Sequence, residues 1–181
     1  FKPLAVHDVQ HILQGAINPP KAAEETELVV RLAQGSAGQA LRIAELEGVR
    51  LYLAILEVVS NCPNFDPKML SIIHTAVSGP QNEERFHLFF DLLTGFVERT
   101  IRSGSKGGGA TILAGTSLEA REQRATARLL QLPLERLVDV WERLLQIKAD
   151  CDSVNLDRKQ AVFEAVSSFE RRELPNTAWA L

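Results

Sequence analysis

Apolar residues recur every three or four positions along most of this chain, the spacing that lines one face of an α-helix. Val6, Val9, Leu13 and Ala16 form a first stripe, stopped by Gly15, Asn18, Pro19 and Pro20. A second helix is predicted over residues 21–34, with Leu28, Val29 and Leu32 inward. Glu24, Glu25 and Glu27 sit near its start, where the helix dipole favours negative charge. Gly35 ends that helix, and Ser36 is placed to cap a third over residues 37–45, with Leu41 and Ala44 inward. Gly48 marks a break before a fourth helix, which runs to Ser60 on Leu51, Ile55, Val58 and Val59 and is closed by Pro63.

Asp66-Pro67 is a strong helix start, with Asp as cap and Pro in the first turn. Met69, Ile72, Ile73, Ala76 and Val77 follow as a stripe, ended by Gly79-Pro80. From Asn82 the most regular pattern begins: Phe86, Phe89, Phe90, Leu93, Phe96, Val97 and Ile101. An aromatic stripe of this kind predicts core packing, since a cofactor slot needs polar groups converging on it. Ser103 to Gly109 holds four glycines in seven residues and predicts a loop, extending toward Gly115. Thr116 or Ser117 is expected to cap a helix to about Leu130. Pro133 introduces a long helix with Leu134, Leu137, Val138, Trp141, Leu144 and Leu145 on one face. Asn155 is expected to cap the last helix, which carries Val162, Phe163, Val166 and Phe169. Residues 174–181 read as an irregular tail that Trp179 can pin to the body.

The pattern predicts an all-α fold of about three small helices followed by a bundle of five or six. The boundary falls at Glu47-Gly48. A unit of about 45 residues buries too little apolar surface to be comfortable alone, so it should lean on a neighbour. No strict repeat of 20–50 residues points to a solenoid.

Composition sharpens this only at the edges. The chain is 45% hydrophobic and 24% charged, which excludes disorder as the default state. A net charge of −3 argues against a nucleic-acid surface spread over the whole chain. No apolar run approaches the length of a membrane span, so no membrane partner is expected. Phe1-Lys2-Pro3-Leu4 is neither a signal peptide nor a Met start, and the chain reads as a piece of a longer protein. Cys62 and Cys151 lie far apart in sequence and read as two reduced thiols of a cytoplasmic protein.

Candidate chemistry is sparse. His7-Asp8-Val9-Gln10-His11 has the spacing of a zinc-protease helix, but Asp8 stands where Glu is needed, and no third ligand is near in sequence. In the Gly104–Gly109 segment Lys106 precedes the glycines and no strand feeds the loop, which disfavours a phosphate loop. There is no Gly-x-Ser-x-Gly elbow, and neither Cys neighbours a His. Glu24-Glu25 and Glu83-Glu84 fall at helix starts, where the dipole accounts for them. The clusters Arg121-Arg124-Arg128 and Arg171-Arg172 are interrupted by Glu119, Glu122 and Glu173 and read as solvated faces. No catalytic, metal or small-molecule site is expected, and no cofactor.

Two segments say more. Gly35-Ser36-Ala37-Gly38-Gln39-Ala40-Leu41 resembles the Gly-Ser-Pro-Gly-Arg-Ala-Leu corner in the lid of clamp-loader AAA+ subunits. Asn155-Leu156-Asp157-Arg158-Lys159-Gln160 is similar to the start of the final helix in the delta-prime branch of that family, which serves bacterial DNA polymerase III. Phe1-Lys2-Pro3-Leu4 looks like the exit from the family's ATPase domain, and the order of helices fits across the chain.

The resemblance implies that residues 1–46 are the helical lid of an AAA+ module and 47–181 the collar through which subunits assemble into a ring. It also implies an ATPase core outside this chain. The implied partners are sister clamp-loader subunits, with DNA met only through the whole complex; any catalysis would belong to the parent polymerase assembly. The family's corner often carries a phosphate-sensing arginine. Gln39 stands there instead, and a neutral amide cannot hold phosphate charge as a guanidinium does. Arg42, one turn on, is the weak candidate for nucleotide contact. Asn155, Asp157, Arg158 and Lys159 are the candidate subunit-interface residues, with Asn155 as cap, Asp157 in the first turn, and Arg158 and Lys159 reaching outward. A nucleotide-sensing clamp-loader subunit and a free-standing helical adaptor remain the alternatives.

Overall fold

A computed structural model describes residues 4–16, 23–62, 67–77, 83–106, 111–154 and 157–170. Within them the stripes fold as α1 (Val6–Ala16), α2 (Ala23–Ala33), α3 (Ala37–Glu45), α4 (Gly48–Ser60), α5 (Pro67–Val77), α6 (Glu83–Lys106), α7 (Glu119–Leu129), α8 (Leu134–Val154) and α9 (Arg158–Ser167). No strand occurs among the described residues. The fold is all-α, as the periodicity predicts.

The corners follow from backbone chemistry. Gly35 takes φ 85° after Gln34 at φ 48°, and the Ser36 hydroxyl accepts the Gln39 N–H at 3.3 Å, opening α3 as expected. At the next corner Glu47 adopts φ 54°, a conformation that a non-glycine residue holds only against steric cost. Gly48 follows because nothing larger fits: a Cβ there would lie 2.8 Å from Ile43 Cγ2 and 3.0 Å from the Ile43 carbonyl oxygen.

Several expectations need correction. The Gly-rich segment does not begin as a loop, because α6 continues through Ser103, Gly104, Ser105 and Lys106. Extending a helix that is already long adds one hydrogen bond per residue and needs no new nucleus. Gly104 also fits a tight spot, since a Cβ there would come within 2.9 Å of Leu130 Cδ2. Residues 107–110 lie outside the described set. Neither Thr116 nor Ser117 is the N-cap of α7. That position is Leu118, Thr116 Oγ1 accepts the Leu118 N–H, and the Ser117 hydroxyl donates to Glu24 instead. The cap of α9 is Asp157, whose carboxylate accepts from the N–H groups of Lys159 at 2.7 Å and Gln160 at 3.4 Å. Asn155, expected in that role, lies outside the described residues, as do Pro63, Asp66, Gly79-Pro80 and Trp179.

The core is one continuous cluster running from Val9 and Leu13 on α1 to Val166 and Phe169 at the end of the described chain. Tyr52, Ile55 and Leu56 of α4 and Phe86, Phe89, Phe90 and Phe96 of α6 are essentially without solvent contact, with α4 packed on α6 and α7 and α6 packed also on α8. Burying each such side chain stabilises the fold by roughly 1.5–3 kcal/mol. The ring of Phe89 stands edge-on to Phe90 with centroids 5.3 Å apart, and Tyr52 stands edge-on to Phe96 at 6.2 Å.

Helices α1 to α3 pack on one another, and α2 and α3 also pack on α4. Polar ties reinforce that contact across the Glu47 corner. The Arg31 guanidinium donates to the carbonyls of Ile112 at 3.2 Å and Ala114 at 2.8 Å. The Ser117 hydroxyl donates to Glu24 at 2.6 Å. The first three helices thus pack on the rest of the described chain.

Candidate functional site

Two outer helices, α8 and α9, carry apolar side chains that the core leaves uncovered. On α8 the expected single face splits in two. Leu137, Val140, Leu144 and Ile147 are fully buried, whereas Leu134 and Leu145 are 41% and 40% exposed, and Val138 and Trp141 are half-buried. Leu134, Val138, Trp141 and Leu145 step by four, three and four residues and so form a second line, about a quarter-turn round the helix from the buried one. The hydrophobic pattern contained both lines; packing chose one.

On α9 the buried face is Ala161, Val162, Ala165, Val166 and Phe169, and Phe163 stands 63% exposed. Phe163, one of the apolar residues expected on this helix, is left out because helical spacing puts it off the line that Val162, Val166 and Phe169 share, and that line is the one packed against the neighbouring helices. Phe163 lines an open cleft of about 350 Å³ with Lys159, Val162, Leu70, Ser71 and His74, between α9 and α5. On the other flank of α9, Arg143 of α8 pairs with Glu164 at 2.9 Å. The α8 line and the α9 cleft are therefore separate surfaces.

The four candidate interface residues have different surroundings. Asp157 is used as the helix cap. Arg158 turns inward along the bundle, 3.4 Å from the Glu83 carboxylate and 5.7 Å from the Phe86 ring centroid, and so braces α9 against α6. Lys159 is exposed on the rim of the Phe163 cleft. Asn155 is not among the described residues.

Arg42 also has a partner within the chain. Its guanidinium meets the Asp91 carboxylate at 2.7 Å and donates to the Glu84 carbonyl at 3.3 Å. Lys148 of α8 reaches the same Asp91 at 2.5 Å. One carboxylate thus collects a cation from α3 and another from α8, tying three helices together at a half-buried point.

Sequence reasoning missed one polar centre. Glu122, read as part of a solvated face, is buried between α4 and the segment before α7. It accepts the Tyr52 hydroxyl at 2.6 Å and the Leu113 N–H at 2.8 Å, while Arg99 donates to the Tyr52 oxygen at 3.0 Å. Burial above all, together with the Glu122 charge, drives the Tyr52 phenol far above its ordinary range, against the pull of Arg99. The arrangement is closed in that each of these groups already has its partner. Its role is structural. Nearby, Arg128 donates to the Cys62 carbonyl and to Gln131, which accounts for one member of the basic cluster.

His7 and Asp8 are exposed at the start of α1, and among the described residues no group of three or more His, Cys, Asp or Glu side chains is placed to hold a metal. Cys62 and Cys151 are not joined by a disulfide. No helix among the described residues is long and apolar enough to cross a membrane. In comparisons with known proteins, the chain matches no protein family, no curated protein and no solved structure.

Proposed function

We propose that this chain is the lid-and-collar part of a clamp-loader AAA+ subunit of the delta-prime type, working by assembly with sister subunits so that a sliding clamp can be placed on primed DNA. The observation that carries the reading is the pair of separate uncovered apolar surfaces, the α8 line around Trp141 and the α9 cleft around Phe163. A subunit inside a ring touches two neighbours through two different patches, and that heterologous arrangement needs two such surfaces on one chain. The Ser36-capped corner and the Asp157-Arg158-Lys159-Gln160 helix start, on which the family resemblance rests, support the same reading. The Arg42–Asp91 pair favours a lid that does not sense nucleotide, because the Arg42 guanidinium is already engaged within the chain.

Co-expression of the full-length protein with the clamp-loader subunits of its source organism tests this. A single co-eluting complex is expected, weakened by Leu145→Glu and by Phe163→Glu separately. Clean separation of the unaltered protein from those subunits would end the reading in favour of a free-standing helical adaptor. So would a coding sequence with no ATPase domain ahead of Phe1.

A further inference from the structure

The uncovered line on α8 has a charged border on one side only. Glu135, Asp139 and Glu142 are exposed along its outer edge, and none makes an ion pair among the described residues. The other edge is the packed side of the helix, where Lys148 is committed to Asp91. A seam forms here with two properties: leucine and tryptophan in the middle, and unneutralised carboxylates along the solvent rim.

We infer that this seam docks an amphipathic helix of a different chain, one whose apolar face is bordered by Lys or Arg. The inference rests on the assembly reading for the identity of that chain and on the seam alone for its chemistry. Three points select this occupant. Burying the leucines and Trp141 supplies the attraction, since an anchor of this kind dominates helix-in-groove contacts. The acidic border then selects cationic edges and rejects acidic ones. A second copy of this chain is disfavoured, because an antiparallel twofold contact sets the acidic border against itself, and a parallel one offers that border only the packed edge, where Lys148 is already committed to Asp91. The described chain also ends at Glu170 beside Arg136, on the side of α8 away from the seam.

The test uses the full chain carrying Trp179→Phe, so that Trp141 is the sole tryptophan, and two synthetic helical peptides with identical leucine faces, one edged with lysine and one with glutamate. The lysine-edged peptide is expected to shift Trp141 emission and to bind about ten-fold more tightly at low salt, with the advantage shrinking as salt rises. Glu135→Lys with Glu142→Lys should reverse the preference. Leu145→Glu should abolish binding while the melting profile stays that of a folded bundle. Equal binding of both peptides, binding of neither, or a concentration-dependent dimer in sedimentation that Leu145→Glu removes would each overturn the inference. If peptide discrimination holds but co-elution with clamp-loader subunits fails, the seam stands and only the identity of its owner's complex changes.

Discussion

The Tyr52 hydroxyl donates a 2.6 Å hydrogen bond to Glu122, joining α4 to α7 inside the core across 70 residues of chain. Either group alone would be costly there, because a buried donor or acceptor without its partner loses its hydration for nothing. Tyr52→Phe leaves Glu122 with the Leu113 N–H only and should cost about 1–3 kcal/mol in urea unfolding. The double change Tyr52→Phe, Glu122→Leu should cost less than the two single changes added together, since each single change strands the other's partner. Strict additivity would show that the two groups are not energetically coupled.

The Glu47-Gly48 corner yields a pair of opposite effects. Glu47 occupies a left-handed conformation that glycine adopts freely, so Glu47→Gly should stabilise the chain by about 0.5–1 kcal/mol, offset slightly by loss of its 3.4 Å contact with Arg85. Gly48→Ala should destabilise by about 1–3 kcal/mol, because its Cβ meets the Ile43 backbone as well as its side chain. Thermal melting of the two variants should move in opposite directions; a shift of the same sign in both would mean that the corner is not held as described.

The Cys62 thiol donates to the Phe169 carbonyl at 3.0 Å, and burial pushes its pKa from 9.0 up to about 11, with Arg128 pulling down and Glu170 pushing up. The folded state thus prefers the neutral thiol more than the unfolded chain does. That preference contributes stability that is complete below about pH 9 and is lost as pH rises through about 11. The stability difference between the wild type and Cys62→Ala should therefore narrow across that window. Iodoacetamide should label Cys62 slowly at pH 8, since little thiolate is present. Rapid labelling of the folded protein at that pH would contradict the burial.

Arg158 and Phe163 separate structural from surface roles within one helix. Arg158→Glu removes the contact with the Phe86 face and places two carboxylates together near Glu83, so it should lower stability by about 1 kcal/mol. Phe163→Ala, on an exposed ring, should stay within about 0.5 kcal/mol of the wild type, whereas Phe169→Ala should cost about 3–5 kcal/mol. Equal losses for the two phenylalanines, measured by denaturant titration, would place Phe163 in the core after all.

Arg42→Ala should weaken the seat of α3 on α6 by about 1 kcal/mol and leave ATP binding by the full-length protein unchanged. A selective loss of ATP binding, with melting unaffected, would instead mark a nucleotide-sensing lid.

Much of the fold was legible in order. The bounds of α1 and α3 coincide with their stripes, and those of α3 do so because Gly35 and Ser36 punctuate the chain by local backbone chemistry that no tertiary contact has to supply. The aromatic line of α6 is buried as its spacing requires, since four phenylalanines and Leu93 along it leave the helix no other way to pack. Three things depended on neighbours distant in sequence. Leu134 and Leu137 look alike to a hydropathy pattern, and only the position of α6 decides which of the two α8 lines is covered. Phe163 adjoins Val162 in the same apolar run, and only the seat of α9 on α8 and α5 covers the side that holds Ala161, Val162, Ala165 and Val166 and leaves Phe163 out. Glu122, surrounded in sequence by arginines, reads as surface; it is interior because Tyr52, from a helix two-fifths of the chain away, arrives with a hydroxyl for it. Periodicity and capping are properties of adjacent residues and can be read one window at a time, whereas the choice of buried face and the pairing of buried polar groups are properties of the packed whole.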